Sequence, residues 1–397
     1  MKRLAFLFAL LLCSASLAFS IDFGLILSQE IELENDHFIY TPAFTPWFSW
    51  EGDKNLSVYI SNRFFFEYHN YSDNEARSGW AVPVFRSELA YSAVKYRINE
   101  SMSLEGGRID YADAIGFAAD GLFDGIRFQM DFSKGALNAS VFYTGLLYKE
   151  TALILMTEND IDNYFEPWVD DFDYFFASRR FLASVRWDMP LAEKYSLSAE
   201  FLAQSDLNDT KKTLNSQYLE VAVVFNPLNS MEVSGGVIFE AMQSGGGNSS
   251  VAFGALAGMK MEMPGSLNDL LKASVKFTTG PQNDESTAFT PINCTSQGEI
   301  FPGILSGLLF PSLDYSVRLH NTLFASGSFR YYIRTYNDAL QDGTCYGSEL
   351  WASVVWQPFD DIRLMVGGGV FLPSFGDVYP KDTDPMGRLN VIFTLSL

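Results

Sequence analysis

Histidine, cysteine and cations are the scarce materials of this sequence. Three histidines in 397 residues, His37, His69 and His320, leave little for general-base or metal chemistry. Three cysteines, Cys13, Cys294 and Cys345, are too few for a disulfide-built scaffold. Lysine and arginine number 27 against 48 acids, a formal net charge of −21. Nucleic acid is thereby excluded as a partner, because phosphate binding needs clustered cations. Charged residues make up only 19% of the chain, low for a soluble protein. Long apolar runs are missing as well. Nothing past the first twenty residues approaches the roughly 18 uninterrupted apolar residues of a membrane helix.

Aromatic residues are in excess, at 15% of the chain with 35 Phe. The opening "MKRLAFLFALLLCSASLAFS" has the form of a secretory signal peptide. Lys2 and Arg3 precede an apolar run from Leu4 to Leu12, and small residues lead to Ala18-Phe19-Ser20, with cleavage expected after Ser20. The apolar core is too short to span a bilayer of about 30 Å. Leu12 is bulkier than the residue expected ahead of a lipidated Cys13. Loss of Lys2 and Arg3 takes the charge from −21 to −23. The expected organisation is a signal peptide over 1–20 and one exported unit over 21–397.

That unit alternates with a period of two. In "LSVYISNRFFFEY" Leu56, Val58, Ile60, Phe64, Phe66 and Tyr68 share one face, opposite Ser57, Tyr59, Ser61, Arg63, Phe65 and Glu67. The closing "GRLNVIFTLSL" puts Leu389, Val391, Phe393, Leu395 and Leu397 on one face and runs to the last residue. Such segments are strands with one apolar face. Connections alternate between tight turns (52–55, 99–101, 133–135, 226–230, 320–321, 358–361) and longer loops (69–82, 110–121, 145–175, 206–213, 281–311, 335–345, 372–386). About eighteen strands of about 8–14 residues are counted. These features predict an all-β fold, a transmembrane antiparallel up-and-down barrel with its apolar faces in lipid and its last strand paired to its first. Propeller and β-helix periods are absent.

The other parity then faces the lumen. Its cations are Arg63, Arg86, Arg127, Arg180, Arg186, Lys272, Lys276, Arg318, Arg330, Arg334 and Arg363. Its acids are Glu67, Glu88, Glu105, Asp131, Glu200, Glu220, Glu232, Glu240, Asp314 and Glu349, ten against eleven. Glu200, Glu220, Glu232 and Glu240 gather on strands nine to eleven. Lys272, Lys276, Arg318, Arg330 and Arg334 gather on strands thirteen to fifteen, and Arg127, Arg180 and Arg186 form a second basic stretch. A basic wall opposite an acidic one sets a field across a pore and tunes which solutes pass. Cross-strand pairing that stiffens the wall is the structural alternative for each charge. Tyr59, Tyr332 and Trp351 are inward candidates for stacking on sugar rings.

Elsewhere the chemistry is thin. The loop over 157–176 carries Asp160, Asp162, Glu166, Asp170, Asp171 and Asp173, oxygen ligands of a kind that Ca²⁺ takes, but without EF-hand spacing. It reads as a solvated acidic loop. No cofactor is expected. Cys294 and Cys345 fall in loops at the same end, and the sequence leaves open whether they pair. His69 with Asp73 is the single rim pair of interest for catalysis, and no serine accompanies it, so the chain is not read as an enzyme.

Two segments resemble the bacterial alginate-export family of outer-membrane porins. "GGRIDYADAIGFAADGLFDGIRFQ" (106–129) is similar to that family's Gly-Arg, short loop, Asp-Gly-Ile/Leu-Arg hairpin. "YGSELWASVVWQPFDDIRLMVGGGVFLPSFGD" (346–377) is similar to its closing region, with Gly347, Glu349, the Pro358-Phe359-Asp360 turn, Gly367, Gly369 and Phe371. The resemblance implies an eighteen-stranded monomeric barrel that moves an anionic polysaccharide through a strongly basic constriction. It matches Arg108 and Arg127 to the hairpin arginines. Arg108 falls on the outward parity unless a bulge re-aims it.

The expected function is a passive channel or exporter for polar, anionic solutes such as oligo- or polysaccharides, in the outer membrane of a diderm bacterium. Its expected partners are outer-membrane lipid, the solute and the barrel-assembly machinery. The alternative is a surface binding or adhesion barrel with a plugged pore and functional external loops.

Overall fold

The structure is a computed structural model. It describes residues 20–397 apart from 36, 53–54, 72–78, 81–83, 167–171, 209–212, 266, 282–287 and 337–342. The expected signal peptide, save Ser20, lies outside the described residues.

Eighteen strands make one closed antiparallel sheet. They are β1 (Ser20–Glu34), β2 (His37–Glu51), β3 (Leu56–Tyr71), β4 (Val84–Asn99), β5 (Met102–Ala112) and β6 (Asp120–Phe132). Then come β7 (Gly135–Tyr143), β8 (Arg180–Ala192), β9 (Tyr195–Asp206), β10 (Leu214–Leu228), β11 (Met231–Ser244) and β12 (Ser249–Glu262). The last six are β13 (Leu270–Thr278), β14 (Leu308–His320), β15 (Leu323–Arg334), β16 (Cys345–Phe359), β17 (Ile362–Leu372) and β18 (Met386–Ser396). A two-residue strand, Gly79–Trp80, adds one pairing to β3 at Asn70. Each strand pairs with its sequence neighbour, and β18 returns to β1 in register from Ile26↔Ser396 to Glu34↔Arg388. Leu25 and Leu397 exchange backbone hydrogen bonds of 2.9 and 2.8 Å, so pairing runs to the final residue. The closed ring leaves no edge strand, as a spanning sheet requires.

The alternation does what the sequence predicts. Leu389, Phe393 and Leu397 are exposed on the outside, as are Phe44, Ile60, Val185, Leu219, Phe239 and Val354 on other strands. Between the outward residues of β18, Arg388 and Asn390 point inward and bond Glu32 and Glu30 of β1 at 2.6 and 2.9 Å. The outside is thus a predominantly apolar surface, interrupted by a few polar residues such as Asn62, and is the face of a transmembrane barrel. Short turns lie at one end and long connections at the other, except that 35–36 and 245–248 are short turns at the long-loop end.

The barrel is not hollow. The end of the β5–β6 hairpin and the described parts of the connections 144–179 and 279–307 fold back inside. Their apolar side chains, Phe117, Ala118, Leu147, Ile154, Phe289, Ile292 and Ile300 among them, pack with inward residues of the wall as one buried core. The sequence assigned such residues to external loops; burial of apolar area inside the lumen is what draws them in.

Because the outer face is solvated by lipid, Leu219→Arg on β10 is expected to lower stability by about 2–4 kcal/mol in reversible urea unfolding from vesicles. The lumen-facing control Ser326→Arg is expected to cost much less.

Candidate functional site

The β5–β6 hairpin shapes the lumen. β5 and β6 pair with each other as far as Ala112↔Asp120. β5 pairs with β4 only up to Ser92↔Arg108, and β6 with β7 only up to Asp124↔Tyr143. Residues 109–123 therefore leave the wall together and cross the interior. Gly107 permits the departure: its φ is +134°, and a Cβ there would sit 2.1 Å from the Ser92 carbonyl oxygen. Arg108 seals the opening left behind. It donates to both Asp124 carboxylate oxygens at 2.9 and 2.7 Å, to the Leu89 carbonyl at 2.7 Å and to the Leu146 carbonyl at 2.8 Å. The outward parity of Arg108 is real in sequence, but the bend leaves the side chain buried.

Asp113 organises the tip. Its carboxylate accepts the N–H groups of Ile115 and Phe117 at 3.1 Å each, and of Ala118 and Ala119 at 2.6 and 2.7 Å. The tip lands on β11 and β12, where Ile115 covers Gly236 and Phe117 covers Gly254; a Cβ at either glycine would come within 2.5 or 3.1 Å of them. Tyr111 donates to Glu200 of β9 at 2.6 Å, and Glu220 of β10 is fully buried beside Asp113.

The 279–307 connection continues this partition. Thr290 N–H donates to Glu240 at 2.8 Å and the Tyr218 hydroxyl donates to the Thr290 carbonyl at 2.6 Å. The Asn293 side chain exchanges hydrogen bonds with the Asp120 backbone at 2.9 and 2.5 Å, tying loop to tip. Glu349 of β16 accepts the N–H groups of Glu299, Ile300 and Phe301 at 2.9, 3.1 and 2.9 Å, and also bonds Arg330 at 2.8 Å. The 144–179 connection fills the side below β2–β4. It carries α1 (Lys149–Ala152) and α2 (Glu158–Phe165), and its Tyr148 and Phe175 pack on Ala43 and Phe65.

These contacts revise the expected walls. Glu200, Glu220 and Glu240 are inward but covered, so they anchor the inserted segments and do not face an open pore. Arg180 is fully buried between Asp160 and Asp206, and Arg334 is buried against the Gly343 carbonyl and the Tyr336 ring. Arg86 pairs with Glu67 and Glu150, Arg186 with Asp188, and Arg127 with Glu105. Arg63 lies over the Phe65 ring at 4.8 Å. Arg318 stacks on Phe324 near the short-turn end, away from the constriction. Tyr332 is fully buried among Phe301, Phe310 and Phe371, which removes it from any solute. Arg388, inward and bonded to Glu32 and the Glu299 carbonyl, was missed, although the outward parity of Leu389 implies it.

In the acidic loop Asp162 and Glu166 are exposed, as a solvated loop expects, while Asp160 is buried and structural. Asp160 caps α2 through Thr157 and holds Arg180. Among the described residues no group of acids, His or Cys is placed to hold a metal. Asp170, Asp171 and Asp73 lie outside the described residues, and so does the side chain of Asp173. Within those limits His69 sits 3.4 Å from Glu67. Cys294 and Cys345, whose pairing the sequence leaves open, are both free. The reason is the fold-back: Cys294 is carried inward, its N–H bonding the Leu153 carbonyl at 2.9 Å, while Cys345 stays at the rim with its N–H on Asp377. Burial pushes the Cys294 thiol up to about 11.

Among the cavities beside the inserted segments are two of about 390 and 330 Å³ on the β13–β15 side. The first is lined by Lys272, Asp314, Ser326, Ser328, Trp351 and Ser353, the second by Phe117, Asp120, Lys276, Asn293 and Gln297. Both touch Glu299 and Arg330 and so adjoin. Lys276 bonds the neutral Gln297 amide at 2.7 Å, and among the described residues neither Lys272 nor Lys276 has a carboxylate within 4.0 Å. Asp120 on the tip shares the second cavity with Lys276, so charges of opposite sign line one cavity.

No protein-family model matches the chain, and no curated protein matches it. Solved structures do. OccK5 (OpdH) of Pseudomonas aeruginosa aligns over 95% of this chain and 98% of its own, with TM-score 0.61 and 10% identity. The outer membrane protein opdK of the same organism covers 95% and 99%, at TM-score 0.60 and 11% identity. OccK2 (OpdF), also from that organism, covers 95% and 98%, at TM-score 0.59 and 14% identity. The chain has a porin fold. The likeness reaches over nearly all of it, and the strand count of eighteen belongs to the same architecture.

Two outcomes follow from the anchors and the thiol. Asp113→Ala strands four donors, each costing about 1–3 kcal/mol when buried without a partner. The tip is then expected to leave the wall, and limited proteolysis of the folded barrel to cut between 113 and 119, where the parent resists. Against an ordinary thiol at about 8.5, a value of about 11 lowers the thiolate fraction at pH 8 by about two hundredfold, so maleimide alkylation of Cys294 is expected to be slower by about that factor.

Proposed function

We propose that this chain is an outer-membrane channel through which small polar solutes diffuse past the β5–β6 tip along the wall of β13–β15. The adjoining cavities carry the reading: they are lined by serine hydroxyls and by charges of both signs, and they lie where the inserted segments leave room. A solute that sheds water there finds hydroxyl partners on one wall. Lys272 and Lys276, with no carboxylate within 4.0 Å among the described residues, draw an anionic group. Asp120 opposite accommodates a cationic one. No cofactor and no covalent step belong to this reading. The outward apolar faces and the signal-like opening support placement in the outer membrane, with the closing strand available to the assembly machinery.

A polymer is a poorer match. The likeness to the alginate-export family implies a strongly basic constriction wide enough for a polysaccharide. Three inserted segments and a mixed-sign lining support a small solute instead. The plugged-barrel reading draws on one observation, the single apolar core that Phe117, Phe289 and Ile292 build inside the lumen.

Planar-bilayer recording separates the two. Discrete current steps are expected; silence from correctly folded protein overturns the channel and leaves the plugged barrel. In a salt gradient, Lys272→Gln with Lys276→Gln is expected to move the reversal potential toward cations, because the passage is narrow beside a Debye length of about 8 Å. An unmoved potential would remove the lysines from the passage.

A further inference from the structure

We propose that three rings on the inner wall, Trp47, Tyr59 and Tyr91, form a stacking track for the pyranose ring of a small saccharide. The role of the track in transit rests on the channel reading; the binding itself does not.

The rings sit on the adjacent strands β2, β3 and β4, on the inward parity. Phe44 and Ile60, on the opposite parity of β2 and β3, are the ones exposed outside. Trp47 is therefore not one of the interfacial aromatics that anchor a barrel among lipid headgroups. Gly24 of β1 pairs with Trp47, and the indole fills the space above it: a Cβ on Gly24 would come within 2.7 Å of two ring carbons. The indole thus lies over the β1 backbone at Gly24 and remains partly exposed on the lumen side of the wall. The Tyr59 ring is within 13° of parallel to the indole, with centroids 6.2 Å apart. Tyr91 follows at 5.7 Å, tilted by 49°. All three side chains are partly exposed.

Polar groups edge the track. The Tyr91 hydroxyl donates to Glu105 at 2.8 Å, and Glu105 lies 3.6 Å from Arg127. Asp22 and Ser49, opposite each other in the β1–β2 register, share the inward parity beside Trp47. Flat apolar faces with acceptors at their edge complement a pyranose. Its C–H face carries positive hydrogens that meet the negative face of a ring, and its hydroxyls donate to the carboxylates. An aromatic acid would stack as well but would bring its own carboxylate against Asp22 and Glu105, so the edge favours the sugar. Trp47 lies toward the short-turn end of β2, and the inserted cluster on Ala43 and Phe65 lies toward the long-loop end. The track is therefore on the short-turn side of the filled lumen.

The test is titration of maltose, with benzoate as comparator, into the folded full-length barrel in detergent, read by tryptophan fluorescence and calorimetry. The parent is expected to bind maltose more tightly than benzoate. Trp47→Ala is expected to weaken maltose about two- to tenfold, the scale of one lost ring stack, and Trp47→Phe to retain most of the binding. Heat-dependent electrophoretic mobility checks that each variant folds, and Tyr59→Ala serves if Trp47→Ala does not. No maltose binding by the parent, equal binding by the alanine variants, or a preference for benzoate would overturn the proposal. A barrel silent in bilayers that still binds maltose through Trp47 defeats the channel and keeps the site. A conducting barrel blind to maltose does the reverse.

Discussion

Backbone hydrogen bonding in a solvent that offers no partners governs this structure. Hydrocarbon cannot satisfy an N–H or a C=O, so a chain that crosses it by strands must close them into a ring. That requirement explains why β18 remains paired and apolar on its outer face to Leu397, where a soluble domain would fray. It also explains Arg108. When residues 109–123 abandon the wall, the Leu89 carbonyl on β4 loses its strand partner, and one guanidinium supplies a donor to it and another to the Leu146 carbonyl of the inserted connection. The buried charge is tolerated because Asp124 holds it bidentately.

The second theme is the use of carboxylates as loop anchors. Asp113 gathers four N–H groups of the hairpin tip, and Glu349 gathers three from the loop that crosses to β16. Glu200 and Glu240 receive a tyrosine hydroxyl and a threonine N–H from the same inserted segments. Acids that might have lined an open pore are spent in holding the partition. The charges that line the remaining cavities are a smaller set, Lys272, Lys276, Asp314 and Arg330 on the wall, Asp120 on the tip and Glu299 on the inserted loop.

Wall glycines mark where something lies flat against the sheet. Gly236 and Gly254 receive the tip, and Gly24 receives the Trp47 indole. In each case the missing Cβ is the space that the incoming group occupies. Packing inside the lumen thus depends on small residues of the wall as much as on the large residues of the inserted segments.

Period-two alternation is a local property, and the sequence alone settled what depends on it: the strand count, the ends bearing short turns, the lipid-facing residues and the inward parity of Lys272, Lys276, Arg330 and the glutamates. It even implied Arg388, through Leu389. Parity says which face a side chain takes and nothing about what then covers that face. The contacts that bury Glu220 and Glu240, separate Cys294 from Cys345 and seat the tip join distant parts of the chain, as Asp120 and Asn293 do across 173 positions. Only the tertiary structure decided those, because a closed ring wide enough to hold three loops lets the burial of apolar loop area, and not the alternation of any strand, choose what fills it.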